Sequence, residues 1–115
     1  MPYTQKIADT LKKVVTSVNT EMPGVVKQII LYGSYARGDY REDSDIDIMI
    51  LLDLSDMDIK QYRHELSGET FDFNMDHDLD IKPIAKSQQH FQNWVDAYPF
   101  YANVEKEGVK LFEAA

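Results

Sequence analysis

Two aspartates one residue apart, Asp45 and Asp47, open an apolar run that continues from Ile46 to Leu52, and a Gly33-Ser34 pair closes an earlier run, Ile29 to Tyr32. Runs this short, rich in β-branched residues and bounded by Gly and Asp, read as buried strands. Residues two apart on a strand share a face, about 6.6 to 6.8 Å apart along the chain. Asp45 and Asp47 therefore project together, while Ile46, Ile48 and Ile50 take the other face. Adjacent carboxylates beside an apolar strand repel each other and lose hydration. A divalent cation between them relieves both effects, and Mg²⁺ takes carboxylate oxygens together with water and substrate phosphates. The plainer alternative is a pair of strand-capping aspartates facing water, where Asp is most often found.

The glycine and serine upstream add a second kind of chemistry. Gly33-Ser34 stands where a helix or helical turn begins after a strand, and backbone N–H groups at such a place favour bound phosphate. Gly33 lets the backbone approach a ligand, and the Ser34 hydroxyl donates to a phosphate oxygen. Pairing of the two strands brings these donors to the edge that carries the carboxylates. Other motifs fit badly. Gly33 and Gly38 have the P-loop spacing, but Asp39-Tyr40 follows where Lys and Ser or Thr are required. Asp43-x-Asp45-x-Asp47 has Ile48 in place of the calcium-loop glycine, and Asp72-x-Asn74-x-Asp76 has His77 there. His64, His77 and His90 show no paired metal spacing.

Gly33-Ser34, ten residues, then Asp45-Ile46-Asp47 resembles the Gly-Ser, Asp-x-Asp signature of the polymerase-beta-like nucleotidyltransferase superfamily. The filling, Ser34-Tyr35-Ala36-Arg37-Gly38 and Ser44-Asp45-Ile46-Asp47-Ile48, is similar to the minimal nucleotidyltransferase (MNT) branch, and in particular to MntA-type antitoxins of HEPN/MNT toxin–antitoxin pairs. The resemblance implies an α+β fold, a small mixed sheet with flanking helices. It implies two Mg²⁺ ions held by Asp45, Asp47 and a third carboxylate on a later strand, matched best by Asp80 in Asp78-Leu79-Asp80-Ile81-Lys82. Strand alternation puts Asp78 on the same face, so Asp78 stands as its alternative. The resemblance also assigns Gly33 and Ser34 to the β- and γ-phosphates. Arg37 is a candidate for the triphosphate, or else an ion-pair partner of Asp39, Glu42 or Asp43.

The 115 residues suffice for one domain, residues 1–115, and not for two. Without cysteine there is no disulfide and no zinc-thiolate site. No basic leader and no apolar stretch near 18 residues occur, so a cytoplasmic chain without a membrane span is expected. A net charge of −8 argues against direct gripping of nucleic acid and suits either a basic protein partner or solubility alone.

In chain order, Ile7, Leu11, Val14, Val15 and Val18 give an amphipathic helix over Thr4 to Asn19. A strand follows over Val25 to Tyr32, and Tyr35 to Asp43 reads as the loop of the site. Ser55 caps a helix from Asp56, with Ile59, Tyr62 and Leu66 on its core face and the pattern continuing irregularly to Phe71 and Met75, also taken as core. A strand from Asp78 to Ile84 ends around Pro83, which favours an edge. Ser87 caps a helix carrying Phe91, Trp94, Val95 and Tyr98, Pro99 restarts it, and Gly108 stops it. Val109 to Phe112 gives a last strand. Most of these aromatics belong in the core, while Tyr98, Phe100 and Tyr101 are candidates for a protein interface.

Such a site suits a metal-assisted in-line displacement. The resemblance implies attack on the α-phosphate of ATP or another nucleoside triphosphate, with transfer of AMP to a hydroxyl. The acceptor it suggests is a tyrosine of a helical HEPN toxin, because the chain has no room for a domain that covers an acceptor. The alternatives are a non-catalytic nucleotide-binding antitoxin that works by docking, and an enzyme modifying a small molecule of the aminoglycoside kind.

Overall fold

The computed structural model describes residues 3–115. Thr4 caps the first helix, α1 (Gln5–Glu21), its side chain accepting the Ile7 N–H at 3.3 Å. The apolar stripe Leu11, Val14 and Val18 is buried. Strand β1 (Val26–Tyr32) follows, then one turn of helix, α2 (Ser34–Arg37), and strand β2 (Ile46–Leu52). Helix α3 (Asp56–His77) leads to β3 (Ile81–Ser87). Helices α4 (Gln88–Trp94) and α5 (Pro99–Glu107) and strand β4 (Val109–Glu113) complete the chain.

The four strands form one mixed sheet in the order β3-β2-β1-β4, with β1 antiparallel to β2 and β4, and β2 parallel to β3. The fold is α+β. A strand at the centre of a sheet covered on both faces reads as a continuous apolar run, and β2 is one: apart from Asp47 every residue in it is buried. Its alternation divides the core. Ile46, Ile48, Ile50 and Leu52 pack toward α1 and α3 with Leu11, Val14, Val18 and Ile59. Met49 and Leu51 pack the other way, with Ile30, Phe91, Tyr101 and Val104 under α4 and α5. Helices thus cover the sheet on both faces.

Helix α3 departs from expectation. Phe71 and Met75 were expected in the core and are 64% and 69% exposed. At about 100° per residue they lie about 120° and 160° round the helix from Ile59, while Leu66 and Phe73 stay within about 40° of it. Leu66 and Phe73 are the residues that pack inward. Helix α3 also runs to His77, and Asp78 caps it in the left-handed conformation at φ 53°. That cap removes Asp78 from any strand, so β3 starts at Ile81, three residues later than expected, and Pro83 lies inside it instead of ending it. Asp80 is left directly before β3, its carbonyl accepting the Ile46 N–H at 2.9 Å.

Near the C-terminus α4 stops at Trp94, short of Tyr98, and Pro99 begins α5. Gly108 ends α5 in an extended conformation, so its role is one of space: a Cβ there would collide with the Val104 carbonyl and the Ile30 side chain. Phe91 and Tyr101 are core, whereas Trp94, Tyr98 and Phe100 are exposed. The expectation holds for Tyr98 and Phe100 as surface aromatics and fails for Trp94 and Tyr101.

Asn74 fastens α3 to β3. Its side-chain amide donates to the Ile81 carbonyl at 3.1 Å and its Oδ1 accepts the Ile81 N–H at 2.9 Å. Each such bond contributes about 0.5 to 1.5 kcal/mol net. Asn74→Ala is therefore expected to lower unfolding free energy by about 1 to 3 kcal/mol, measured by urea denaturation monitored by circular dichroism.

Candidate active site

The site is built where β1 ends and β2 begins. Because the two strands are antiparallel, Tyr32 stands opposite Asp47. Gly33 then leaves the strand at φ 77°, a conformation that side chains rarely adopt. A Cβ on Gly33 would lie 2.5 Å from Asp47 Oδ2. Only a residue without a side chain brings this backbone against that carboxylate. Ser34 begins α2, whose turn is closed by the Arg37 N–H to the Gly33 carbonyl at 3.1 Å, and Gly38 ends it at φ 87°. Ser34 thus stands in the first turn after the strand, next to the glycine that lies against Asp47.

The connecting loop is held from within. Tyr35 is buried and its ring stacks on Tyr40, centroids 4.1 Å apart and planes 7° from parallel. The Ser44 hydroxyl accepts the Arg41 N–H at 2.7 Å, and the Ser44 N–H donates back to the Arg41 carbonyl at 3.0 Å. Asp45 is delivered from this small turn to the start of β2.

Parallel pairing of β2 with β3 places Ile46 beside Ile81 and Asp47 beside Lys82. The structure therefore brings Asp45, Asp47 and Asp80 together. Asp78, the alternative, caps α3 instead. Lys82 Nζ lies 3.1 Å from Asp45 Oδ2. The Asp45 carboxyl is held below its ordinary range, first by a hydrogen bond with Asp80 and then by Lys82. Asp80 is pushed up, chiefly as the other partner of that bond. Asp47 is also pushed up, by burial first and by the Asp45 charge second, against the pull of Lys82 and Arg37. Burial and the Asp47 charge raise the Tyr32 hydroxyl to about 12. This is the electrostatic signature of crowded negative charge, with Lys82 as a cation in direct contact with it.

Among the described residues, no three His, Asp or Glu side chains stand gathered as a ready metal cage. Asp45 is turned to Lys82. The donor chemistry nevertheless fits a hard divalent cation, which binds carboxylate oxygens and offsets both the lost hydration of Asp47 and the crowding of Asp45 and Asp80 around it. Arg37 stands beside the site but bonds Asp39 at 3.3 Å and Glu107 at 3.4 Å. The Asp39 pair was among the expected ones. Glu107, 70 residues away, was not. Such exposed pairs add little net stability and release easily.

Lys82 was not singled out from sequence, although strand alternation from Asp80 placed it on the right face. Nor was Tyr32, whose place was set only by the register. An apolar cleft between α1 and α3, lined by Val14, Val18, Tyr62, Leu66 and Phe73, opens on the other side of the sheet and has no part in this site.

The sequence profile of the nucleotidyltransferase domain matches residues 11–106, from α1 through α5. The chain belongs to this nucleotidyltransferase family. It is similar to two proteins of Methanocaldococcus jannaschii, each named "putative protein adenylyltransferase". One is 36% identical over 102 residues, covering 89% of this chain and 94% of the relative. The other is 27% identical over 106 residues, covering 92% and 99%. Among solved structures, one of a toxin–antitoxin with AMP-PNP is 19% identical, with TM-score 0.49, over 90% of this chain and 73% of that one. One of a MntA-HpeT toxin–antitoxin mutant is 18% identical, with TM-score 0.48, over the same shares. Among the described residues, no helix is long and apolar enough to cross a membrane.

The raised Asp47 fixes the sign of a pH effect. Its folded pKa lies above the unfolded one, so the folded state holds the proton longer and loses relative stability as pH rises between the two values. That loss is complete at neutral pH. Asp47→Asn is expected to raise the thermal unfolding midpoint of the metal-free protein at pH 7. The gain should vanish below about pH 3, where the carboxyl is protonated in both states, as followed by scanning calorimetry.

Proposed function

We propose that this nucleotidyltransferase moves AMP from ATP to a hydroxyl of a partner protein, the acceptor being a tyrosine of a HEPN-type toxin. The observation that carries the reading is the contact of Gly33 with the Asp47 carboxylate, with Asp45 and Asp80 beside it. It sets phosphate donors directly against metal-binding oxygens. The names of the two methanogen relatives favour a protein acceptor, and the resemblance to MNT antitoxins suggests which one.

In this reading the Gly33 and Ser34 N–H groups and the Ser34 hydroxyl hold the β- and γ-phosphates. Arg37 leaves its exposed partners for the same charges. Asp45, Asp47 and Asp80 would hold two Mg²⁺ ions, which would stabilise charge on the phosphate oxygens and lower the pKa of the acceptor hydroxyl. The acceptor oxygen bonds to the α-phosphorus as the bond to the pyrophosphate oxygen breaks. Pyrophosphate leaves, and the hydroxyl proton passes to solvent. Lys82, whose contact with Asp45 is exposed, would yield that carboxylate to such a cation. The carboxylates Asp45 and Asp80 reach solvent at this sheet end, which suits an acceptor presented by a second protein.

The Asp45–Lys82 and Asp45–Asp80 contacts favour one other reading. They engage Asp45 and Asp80 without metal, as a docking module that binds its partner with nucleotide only as ligand would require.

Incubation with the gene-neighbour partner, Mg²⁺ and ATP, followed by intact mass measurement of both chains, separates the two. The partner is expected to gain one AMP, and Asp47→Asn to lower that gain by at least about a hundredfold, as loss of groups aimed at transition-state charge commonly does. Wild-type transfer by a folded Asp47→Asn protein rules out the mechanism. Binding of partner and ATP with no mass gain selects the docking module.

A further inference from the structure

Three large aromatic side chains near the C-terminus stand on the surface: Trp94, Tyr98 and Phe100, 43%, 44% and 45% exposed. Two of them answer each other. Trp94 stacks on Tyr98 with centroids 5.2 Å apart and planes 17° from parallel. Phe100 has no such partner. Its ring neighbours among the described residues are Tyr32, centroids 5.6 Å apart at 76°, and Tyr101, 6.0 Å apart at 41°. Both contacts are edge-on or tilted, so neither ring stacks flat on Phe100 as Trp94 does on Tyr98.

The place of Phe100 matters more than its exposure. Tyr32, the ring it leans on, is the last residue of β1, directly before Gly33 and Ser34 and opposite Asp47 across the β1–β2 ladder. Asp47 shares its sheet face with Met49 and Leu51, which pack toward α4 and α5. The carboxylates and the first turn of α5 therefore lie on one side of the sheet, with Tyr32 between them. Tyr32 and Phe100 form an aromatic ledge next to the atoms assigned to the phosphates and metals. The only broad, uncharged, π-faced part of a nucleoside triphosphate is its base.

We propose that Phe100, braced edge-on by Tyr32, is the surface on which the base of the bound nucleoside triphosphate stacks. The inference rests on the nucleotidyltransferase reading of the site and names its base subsite. Stacking adds affinity without charge, which suits a strongly acidic chain whose ligand is also an anion. A ring face does not read the hydrogen-bonding edge of a base, so Phe100 favours the larger purines over pyrimidines and does not separate one purine from another.

The test compares ligands with and without a base. ATP, CTP and inorganic tripolyphosphate are titrated calorimetrically, in Mg²⁺, into the wild type, Phe100→Ala and Phe100→Tyr. Phe100→Ala should lose about tenfold in affinity for ATP, lose less for CTP and leave tripolyphosphate unchanged. Phe100→Tyr should restore ATP binding to within about twofold. Equal ATP affinity in the wild type and Phe100→Ala overturns the base subsite alone. So does an equal loss for ATP and tripolyphosphate, or loss of partner capture with ATP affinity intact, which assigns the ring to the protein interface. A wild type that binds neither ATP nor tripolyphosphate overturns the nucleotide reading, and the base subsite with it.

Discussion

The rung that pairs Tyr32 with Asp47 governs both the site and the core. Side chains on a strand alternate with a period of two, so a slip of one residue sends an entire face to the wrong side. Such a slip in β2 would bury Asp47 against α1 and α3 and turn Ile46, Ile48 and Ile50 toward α4 and α5. The burial of those isoleucines enforces the register, and the register holds the carboxylate against Gly33. Chemistry and packing are specified by one alternation. No separate device is needed to aim the aspartate.

Crowded acidic charge is the counterpart of that precision. The site places Asp45, Asp47 and Asp80 at neighbouring strand ends, two of them pushed up and one held down. Lys82 is the nearest cation and engages Asp45 directly. A pair this exposed has little net strength and exchanges readily with water and ions. The lysine accordingly balances the charge of Asp45 while leaving that carboxylate open to exchange. The aromatic pair Tyr35–Tyr40 does the complementary work on the loop, replacing long-range contacts with one stack inside the loop itself.

Much of this was legible before any coordinates. Strand β2 has the expected bounds because an apolar run flanked by Asp and buried on both faces has no competing pattern, and Ser55 and Ser87 cap their helices as expected. The errors share a physical origin. Helix α3 is mostly solvated, so the periodicity that would exclude Phe71 and Met75 is weak, and a non-glycine residue in the left-handed conformation at Asp78 announces itself poorly in sequence. The Asp78 or Asp80 ambiguity followed directly from that cap. Lys82 and Glu107 enter through pairings between distant segments, and the setting of Phe100 depends on how α5 lies against β1. Local pattern carries none of these.

The Asn74 bonds bear on more than the joining of α3 to β3. Strand β3 is the last in the sheet, and an open edge invites a neighbouring molecule to add a strand. The Asn74 amide takes the place of that strand at Ile81, satisfying both backbone groups as a paired chain would. Alternation puts the missing N–H of Pro83 on the same outer side. The border nearest Asp80 is therefore closed to self-templated polymerisation by one side chain and one imino acid.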